Sequence, residues 1–197
     1  MSTLYDVAPQ IFEPLRQGEI VGPLWEHRTV YPPREIRRNT PVGVKSIPHA
    51  LAIVLSPDCD LIWDHEVRFD CDPNCLPPNL DADEHPRGIT HLLLAELFSR
   101  DELRRRFVKE PDVWQRVKKN QDERYHHLRA AEVGEGFGFV LHDLFIDFKK
   151  AFSLPVDRVY EGVLSLTVQR VAVLHEVNVH DVIHRFYGFL SRIAVPE

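Results

Sequence analysis

An unbroken apolar run occupies residues 50–55 and is followed at once by Ser-Pro-Asp-Cys-Asp. A run of this length without polar alternation, bounded by turn residues, predicts a buried central strand. Its end gathers a hydroxyl, a thiol and two carboxylates, those of Ser56, Cys59, Asp58 and Asp60. This strand end is therefore the first candidate for a functional site.

Four other patterns predict short strands. Residues 19–21 are bounded by turn residues, and residues 66–70 alternate polar and apolar side chains. Residues 137–148 and 169–175 are rich in aromatic and β-branched side chains, which favour strands. The Pro- and Arg-rich segment 27–48 has no sustained period and predicts a surface loop.

Helical patterns fill the middle of the chain and its C-terminal end. Residues 90–98 offer a Thr cap followed by helix formers, and Glu102 follows Ser99 at the spacing of a capping box. A further helix is predicted to begin near Pro111. Residues 178–193 carry apolar side chains at helical spacing, with Asn178 as the expected cap.

These elements together predict an α+β barrel-like fold. The 197 residues, 44% of them hydrophobic, are expected to form a single domain over residues 1–197. Residues 1–70 and 134–197 are assigned to the barrel core. Residues 71–133 are assigned to a mainly helical insertion.

Charge and composition narrow the class of protein. The net charge of −6 argues against a dedicated duplex-DNA binder, although residues 100–129 hold ten Lys or Arg against six Asp or Glu. No apolar run approaches the ~20 residues of a membrane crossing. The N-terminus lacks the layout of a signal peptide, and three cysteines cannot all pair within the chain. We therefore expect a cytoplasmic protein without a membrane segment.

Two motifs carry a family resemblance. The run Gly-Glu-Ile-Val at residues 18–21, followed by the Pro-His-Ala-Leu-Ala-Ile-Val-Leu-Ser-Pro run at 48–57, resembles the opening of the MazF/PemK toxin barrel. Residues 138–143 are similar to a later strand of that family, and residues 181–193 to its terminal helix. The resemblance implies a small SH3-like, MazF-like β-barrel and leaves the segment 71–133 without a counterpart.

A second resemblance is to a group of uncharacterised prokaryotic proteins that share three short motifs. They are a Ser-x-x-Cys-Asp strand end, an Asn-x-Asp-Glu-Arg-Tyr-His segment and a terminal Arg-x-x-x-Pro. In this chain the counterparts lie at residues 56–60, 120–126 and 192–196, the last with one residue fewer before the proline.

The MazF/PemK resemblance implies metal-independent action on single-stranded RNA, but the catalytic pattern departs from the family. The toxins rely on an Arg before the second strand and a Thr or Ser ending the next one. Here His49 stands near the Arg position, and the predicted strand 66–70 leads into Cys-Asp-Pro. The first hypothesis is therefore RNA or protein binding in prokaryotic stress, toxin-antitoxin or phage-defence biology, without the family's ribonuclease residues.

Two alternatives remain open. One is an active metal-independent endoribonuclease that uses Lys45, His49, Arg124 and His126. The other is a partner-binding subunit of a multiprotein assembly, in which aromatic residues of the terminal helix either form a contact surface or fill the core. A homodimer is a further candidate assembly.

The strand end at Ser56, Asp58, Cys59 and Asp60 has two readings. Its residue types dominate turns and cap nearby amides, which is a structural role. The functional reading makes the thiol a nucleophile, with His49 or His65 as its base.

The cysteines raise the question of zinc. Cys59, Cys71 and Cys75 supply thiolates, and a fourth ligand is available from one of three imidazoles, those of His65, His85 and His91. A single Cys-x-x-x-Cys lacks the paired spacing of a zinc signature. We therefore expect neither a metal nor another cofactor.

The densest chemistry lies at residues 120–127, which combine an amide, an Arg, a Tyr and two His. Phosphate contact, base stacking and proton transfer all need such groups, although a solvated surface contains them too. Arg124, Tyr125 and His126 are predicted to lie beside the acidic strand end at residues 58–60, where opposite charges compensate each other. A second basic loop is formed by Arg34, Arg37, Arg38 and Lys45.

Overall fold

The computed structural model describes residues 4–30, 43–69, 85–134 and 139–193. Within these residues the chain is an α+β protein built on a curled antiparallel sheet, a half-barrel. The strands are β1 (Tyr5–Val7), β2 (Glu19–Gly22), β3 (Leu24–Val30), β4 (Gly43–His49), β5 (Ala52–Val54), β6 (His91–Ser99), β7 (Tyr125–Leu128), β8 (Ala131–Glu132), β9 (Val140–Leu141), β10 (Leu144–Pro155) and β11 (Gln169–Leu174).

Seven strands form the main sheet, in the order β1-β11-β2-β5-β6-β10-β7. The strands β3 and β4 form a separate hairpin, and β8 pairs with β9. The α-helices are α1 (Asp58–Phe69), α2 (Arg100–Arg104), α3 (Pro111–Lys118), α4 (Val156–Leu164) and α5 (Glu176–Ile193), with a 3₁₀ turn at Arg105–Phe107.

Helices cover both faces of the sheet. Successive side chains of a strand point to opposite faces, so Ile53 packs with Val182 and Phe186 of α5, whereas Val54 packs with residues of α1 and α4. A third apolar cluster joins α2 and α3 to the far end of the second face, around the buried ring of Trp114.

The predicted central strand at residues 50–55 is confirmed as β5. It lies between β2 and β6, and all three of its side chains are buried. Burial on both faces explains the missing polar alternation, because neither face meets water.

Residues 90–98, which the sequence predicts as a helix, instead form most of β6. Leu and Ala are good helix formers, but propensity is a weak preference that tertiary packing overrides. β6 is hydrogen-bonded to β5 on one edge and to β10 on the other. Apolar side chains on both faces of this strand are buried at the centre of the sheet.

Two other local predictions are wrong. Residues 66–69 belong to α1, where Arg68 donates to Asp64 one helical turn earlier at 2.8 Å and both side chains are buried. The alternation of Glu-Val-Arg-Phe is thus part of a helix that buries an ion pair. The predicted loop at 27–48 is a hairpin in its described parts, with Arg28 opposite Lys45.

The segment 71–133 contributes to the sheet instead of standing outside it. Its strand β6 lies near the centre of the sheet, and its strand β7 forms one edge. The helical part is confirmed in α2 and α3. Ser99 and Glu102 complete the predicted capping box, and α3 begins at Pro111.

The C-terminal predictions are confirmed for the type of each element. β10 and β11 appear as predicted strands, and the terminal helix α5 begins at Glu176, two residues before the predicted cap Asn178. Phe186 of this helix is 3% exposed and packs near Phe148, so it fills the core. Tyr187 is 56% exposed.

Replacing Ile53 by Ala tests the central position of β5. The side chain is fully buried, so Ile53→Ala should lower the free energy of unfolding by about 2–5 kcal/mol through lost burial and a new cavity. Urea denaturation measures it. Val44→Ala, at a side chain that is 71% exposed, is the control and should change stability by less than about 0.5 kcal/mol. Equal effects would contradict the placement.

Candidate functional site

Three side chains from three strands meet beside the main sheet. The Nε2 atom of His49, at the end of β4, lies 3.2 Å from Oε2 of Glu26 on β3. Its Nδ1 atom lies 3.4 Å from Oε1 of Glu96 on β6, an ion-pair contact without hydrogen-bond alignment. The imidazole stacks on Phe152 at a centroid distance of 4.0 Å. We call Glu26, His49 and Glu96 the His49 cluster.

The register of the hairpin positions two of these residues. Leu24 lies opposite His49 and is buried in the core, so the face of the hairpin that carries both points at the sheet. Glu26 is two residues from Leu24 and shares its face.

The same face carries positive charge further along the hairpin. Arg28 and Lys45 lie directly opposite each other, an arrangement in which like charges repel. Arg28 forms an ion pair with Glu26, while Lys45 has no ion-pair partner among the described residues. Within the described part of the chain, no side chain therefore neutralises the Lys45 cation on the hairpin face.

Glu96 interrupts the apolar run of β6 at an irregularity of the sheet. β10 pairs Ile146 with Leu97 and Ala151 with Ala95, so residues 147–150 bulge out opposite Glu96. The bulge removes the neighbouring strand from this position. A carboxylate is accommodated there, with His49 as its ion-pair partner.

The contacts within the cluster shift the pKa values of His49 and Glu26 in opposite directions. Burial alone would lower the pKa of His49, but Glu96 and Glu26 outweigh it, and the pKa lies above the ordinary 6.5. Burial opposes ionisation of Glu26 as well, yet Arg28 and His49 bring its pKa below the ordinary 4.5. The site thus favours an imidazolium beside an ionised carboxylate, a combination suited to proton transfer or to holding polar ligands.

A cleft of about 690 Å³ runs along β3 and includes Glu26 in its lining. The Trp25 ring on its wall is 57% exposed. Its polar lining includes His27, His91 and Arg158. A cleft of this size with an exposed aromatic ring suits a planar ligand with polar substituents.

The strand end that the sequence singles out has structural contacts and leads directly into the first helical turn of α1, which holds Asp58, Cys59 and Asp60. Ser56 Oγ accepts a hydrogen bond from the Leu93 amide at 2.9 Å. Asp58 accepts from the Gln17 amide and from Arg16, which holds the N-terminal segment against α1.

Cys59 lacks the surroundings of a catalytic thiol. It is exposed, and its Sγ lies 3.5 Å from Asp60 Oδ1. The two proposed bases contact other groups: His49 is held by its carboxylates, and His65 stacks against Phe69. Among the described contacts, the Cys59 thiol is therefore not hydrogen-bonded to either imidazole.

Most of the segment 120–127 is explained by structural contacts. The Asn120 side chain exchanges two hydrogen bonds with the backbone of His127, at a backbone φ of 55° that suits Asn. The Tyr125 and His126 side chains are buried. His126 faces α5, with Nε2 3.8 Å from Asp181, so it lies on the sheet face opposite the His49 cluster.

The predicted cleft between Arg124 and the acidic strand end is not formed. Arg124 pairs with Asp147, whereas Asp58 pairs with Arg16. β7 lies three strands from β5 in the sheet, which corresponds to roughly 14 Å. The sheet order therefore separates the two groups, and each finds its own counter-ion.

The sequence offers three cysteines as candidate metal ligands. Among the residues described, no group of three or more His, Cys, Asp or Glu side chains is arranged to hold a metal ion. Cys71 and Cys75 lie outside those residues, as do Arg34, Arg37 and Arg38 of the predicted basic loop. Of that loop, Lys45 is described and lies on the hairpin.

Sequence reasoning found His49 and Lys45 but missed Glu26 and Glu96. Glu26 has no local signal, because its role comes from the hairpin register. Glu96 does have one: it is the single charged residue within the apolar stretch 92–98. A charge inside a buried strand requires a partner and so marks a candidate site.

No known family model, curated protein or solved structure matches this chain. Within the described part of the chain, no helix is both long enough and apolar enough to cross a membrane. The geometry of the site is therefore the basis for assigning a function.

The raised pKa of His49 predicts a specific response to Glu96→Gln. Removing one carboxylate charge should lower the pKa of His49, seen by NMR titration of its ring protons. Because the folded-state pKa of wild type exceeds 6.5, the imidazolium stabilises the fold fully below pH 6.5, and this stabilisation is lost as the pH rises through the folded value. Glu132→Gln is the control, and an equal shift in both variants would contradict the cluster.

His126 predicts the opposite pH dependence. Burial first, and then Arg185 and His127, lower its pKa to about 3. Its contribution to stability is complete above pH 6.5 and is lost as the pH falls from 6.5 towards 3. As the pH falls, this group should lower the free energy of unfolding of the wild-type protein by up to about 1.4 kcal/mol per pH unit. His126→Leu should remove this dependence, which urea denaturation at several pH values measures. The control His180→Leu, at an 81% exposed side chain, should leave the slope unchanged.

Proposed function

We propose that this chain is a MazF/PemK-like barrel protein of prokaryotic stress, toxin-antitoxin or defence biology that binds single-stranded RNA. The observation that carries the proposal is the row of Arg28 and Lys45 on the hairpin face, which leads to the His49 cluster. Pairing of β2 with β5, the strands with the two family motifs, supports the barrel assignment.

The two faces of the hairpin supply complementary contacts for RNA. Arg28 and Lys45 lie on the face that carries Glu26. Trp25, which lines the cleft, lies on the other face. Lys45 and Arg28 are suited to backbone phosphates, whose contacts dominate affinity and its salt dependence. The exposed ring of Trp25 is suited to stacking with an unpaired base. A single strand fits better than a duplex, because only an unpaired base can enter the cleft.

Binding of a fluorescently labelled single-stranded RNA, measured by anisotropy at several salt concentrations, tests the proposal. Lys45→Gln should weaken binding and reduce the slope of log affinity against log salt by about 0.7, the value for one lost phosphate contact. Trp25→Ala should weaken the free energy of RNA binding by roughly 1–3 kcal/mol without changing the slope. The exposed Arg87, which lies outside the hairpin, the cleft lining and the segment 100–129, provides the control variant Arg87→Gln. Unchanged affinity and slope in Lys45→Gln would reject this binding site.

RNA cleavage is a second candidate function, favoured by the contact of one imidazole with two carboxylates in the His49 cluster. Glu96 would take the proton of a 2′-hydroxyl as that oxygen attacks the phosphorus. The 5′ oxygen would leave with a proton from the His49 imidazolium, giving a 2′,3′-cyclic phosphate and a 5′-hydroxyl. Each proton transfer is worth about 10²–10⁴-fold in rate.

Cleavage is tested with EDTA present, by separating the products of a mixed-sequence RNA. Glu96→Gln and His49→Gln should each reduce the rate by at least about 100-fold while RNA binding persists. His180→Gln should leave the rate unchanged. Absence of cleavage by the wild-type protein would reject this second candidate and leave the binding proposal to its own test.

A further inference from the structure

Two arginines share one buried carboxylate at the far side of the β10 bulge. Asp147 is fully buried and accepts from Arg124 Nε and Nη2, both at 2.7 Å. It also accepts from Arg106 Nη1 at 3.2 Å. Two positive charges therefore meet one negative charge, and the group keeps an excess of one positive charge.

Each of the two guanidinium groups lies over an aromatic ring, which is a favourable cation–π contact. Arg106 lies over Phe98 at 4.2 Å, and Arg124 lies over Tyr125 at 4.9 Å. The two Arg side chains are 38% and 36% exposed, whereas Asp147 is not exposed at all. The carboxylate thus anchors two preorganised guanidinium groups that remain open to solvent.

The geometry points to an oxyanion site at Arg106 and Arg124 that binds a phosphate group of a nucleic-acid strand. Among the described residues neither Arg has a second carboxylate partner, so N–H groups remain available. Guanidinium groups match phosphate oxygens in geometry and form charge-assisted hydrogen bonds with them.

The surroundings favour a polyanion as the source of the phosphate. Residues 100–129, which include Arg106 and Arg124, contain ten basic and six acidic residues and are therefore net positive. The bulge adds the exposed Lys149 and Lys150. Glu96 of the His49 cluster lies opposite the same bulge, so one strand can reach both sites. The assignment to RNA rests on the proposed function, whereas the oxyanion site does not.

The first probe is inorganic phosphate. NMR detects its binding to the full chain through the Nε–H signals of the arginine side chains. Wild type should show saturable shifts of the Arg106 and Arg124 signals. Arg106→Gln keeps the two-point pair of Arg124 with Asp147, so the fold should persist, and its phosphate affinity should fall about tenfold. The control Arg105→Gln, at an exposed neighbour in the same 3₁₀ turn, should stay within twofold.

The outcomes distinguish the oxyanion site from the RNA assignment. Displacement of phosphate by a single-stranded RNA, with weaker RNA binding in Arg106→Gln, would support both. Phosphate binding that RNA does not displace would overturn the RNA assignment alone. Absence of saturable shifts in wild type, or equal affinity in Arg106→Gln and Arg105→Gln, would overturn the site. If Arg106→Gln loses the circular dichroism spectrum of the folded protein, the same comparison is made with Arg106→Lys. Lysine keeps the positive charge but lacks the forked guanidinium group.

Discussion

The pairing of β5 with β6 at the centre of a sheet covered on both faces is the constraint on which this structure depends. Side chains of both strands are buried on each face, so helices must pack on both sides. α5 covers one face, and α1 and α4 cover the other. Apolar burial of this extent supplies the main driving force for folding, and any polar group within it requires a partner.

The buried charges follow from that requirement. Glu19 pairs with Arg170, Asp64 with Arg68, and Asp147 with two arginines. The first pair also holds the N-terminal segment, because Arg170 donates to carbonyl groups of residues 10, 13 and 14. These pairs satisfy charges whose unpaired burial would cost several kcal/mol. They explain why many dense polar motifs of the sequence are structural.

The β10 bulge positions charged groups of both candidate sites. It leaves Glu96 without a facing β10 residue, where the hairpin supplies His49 and Glu26. On its other side the bulge carries Asp147, which anchors two arginines that remain partly exposed. The His49 cluster and the proposed oxyanion site therefore border one irregularity of the sheet. Bulges often re-aim side chains in this way near functional sites.

The sequence by itself determined the α+β class, the buried strand β5, the capping box before α2 and the helices α3 and α5, because local periodicity and caps decide these features. It could not determine that residues 91–99 form a strand, since Leu and Ala suit helices and strand partners come from distant segments. His49 and Lys45 were recognisable from the sequence, but Glu26 and Glu96 join them only through strand register. Only the tertiary structure defines the site, because a charged side chain pairs with groups that are close to it in space. The local sequence pattern does not specify which strands become neighbours.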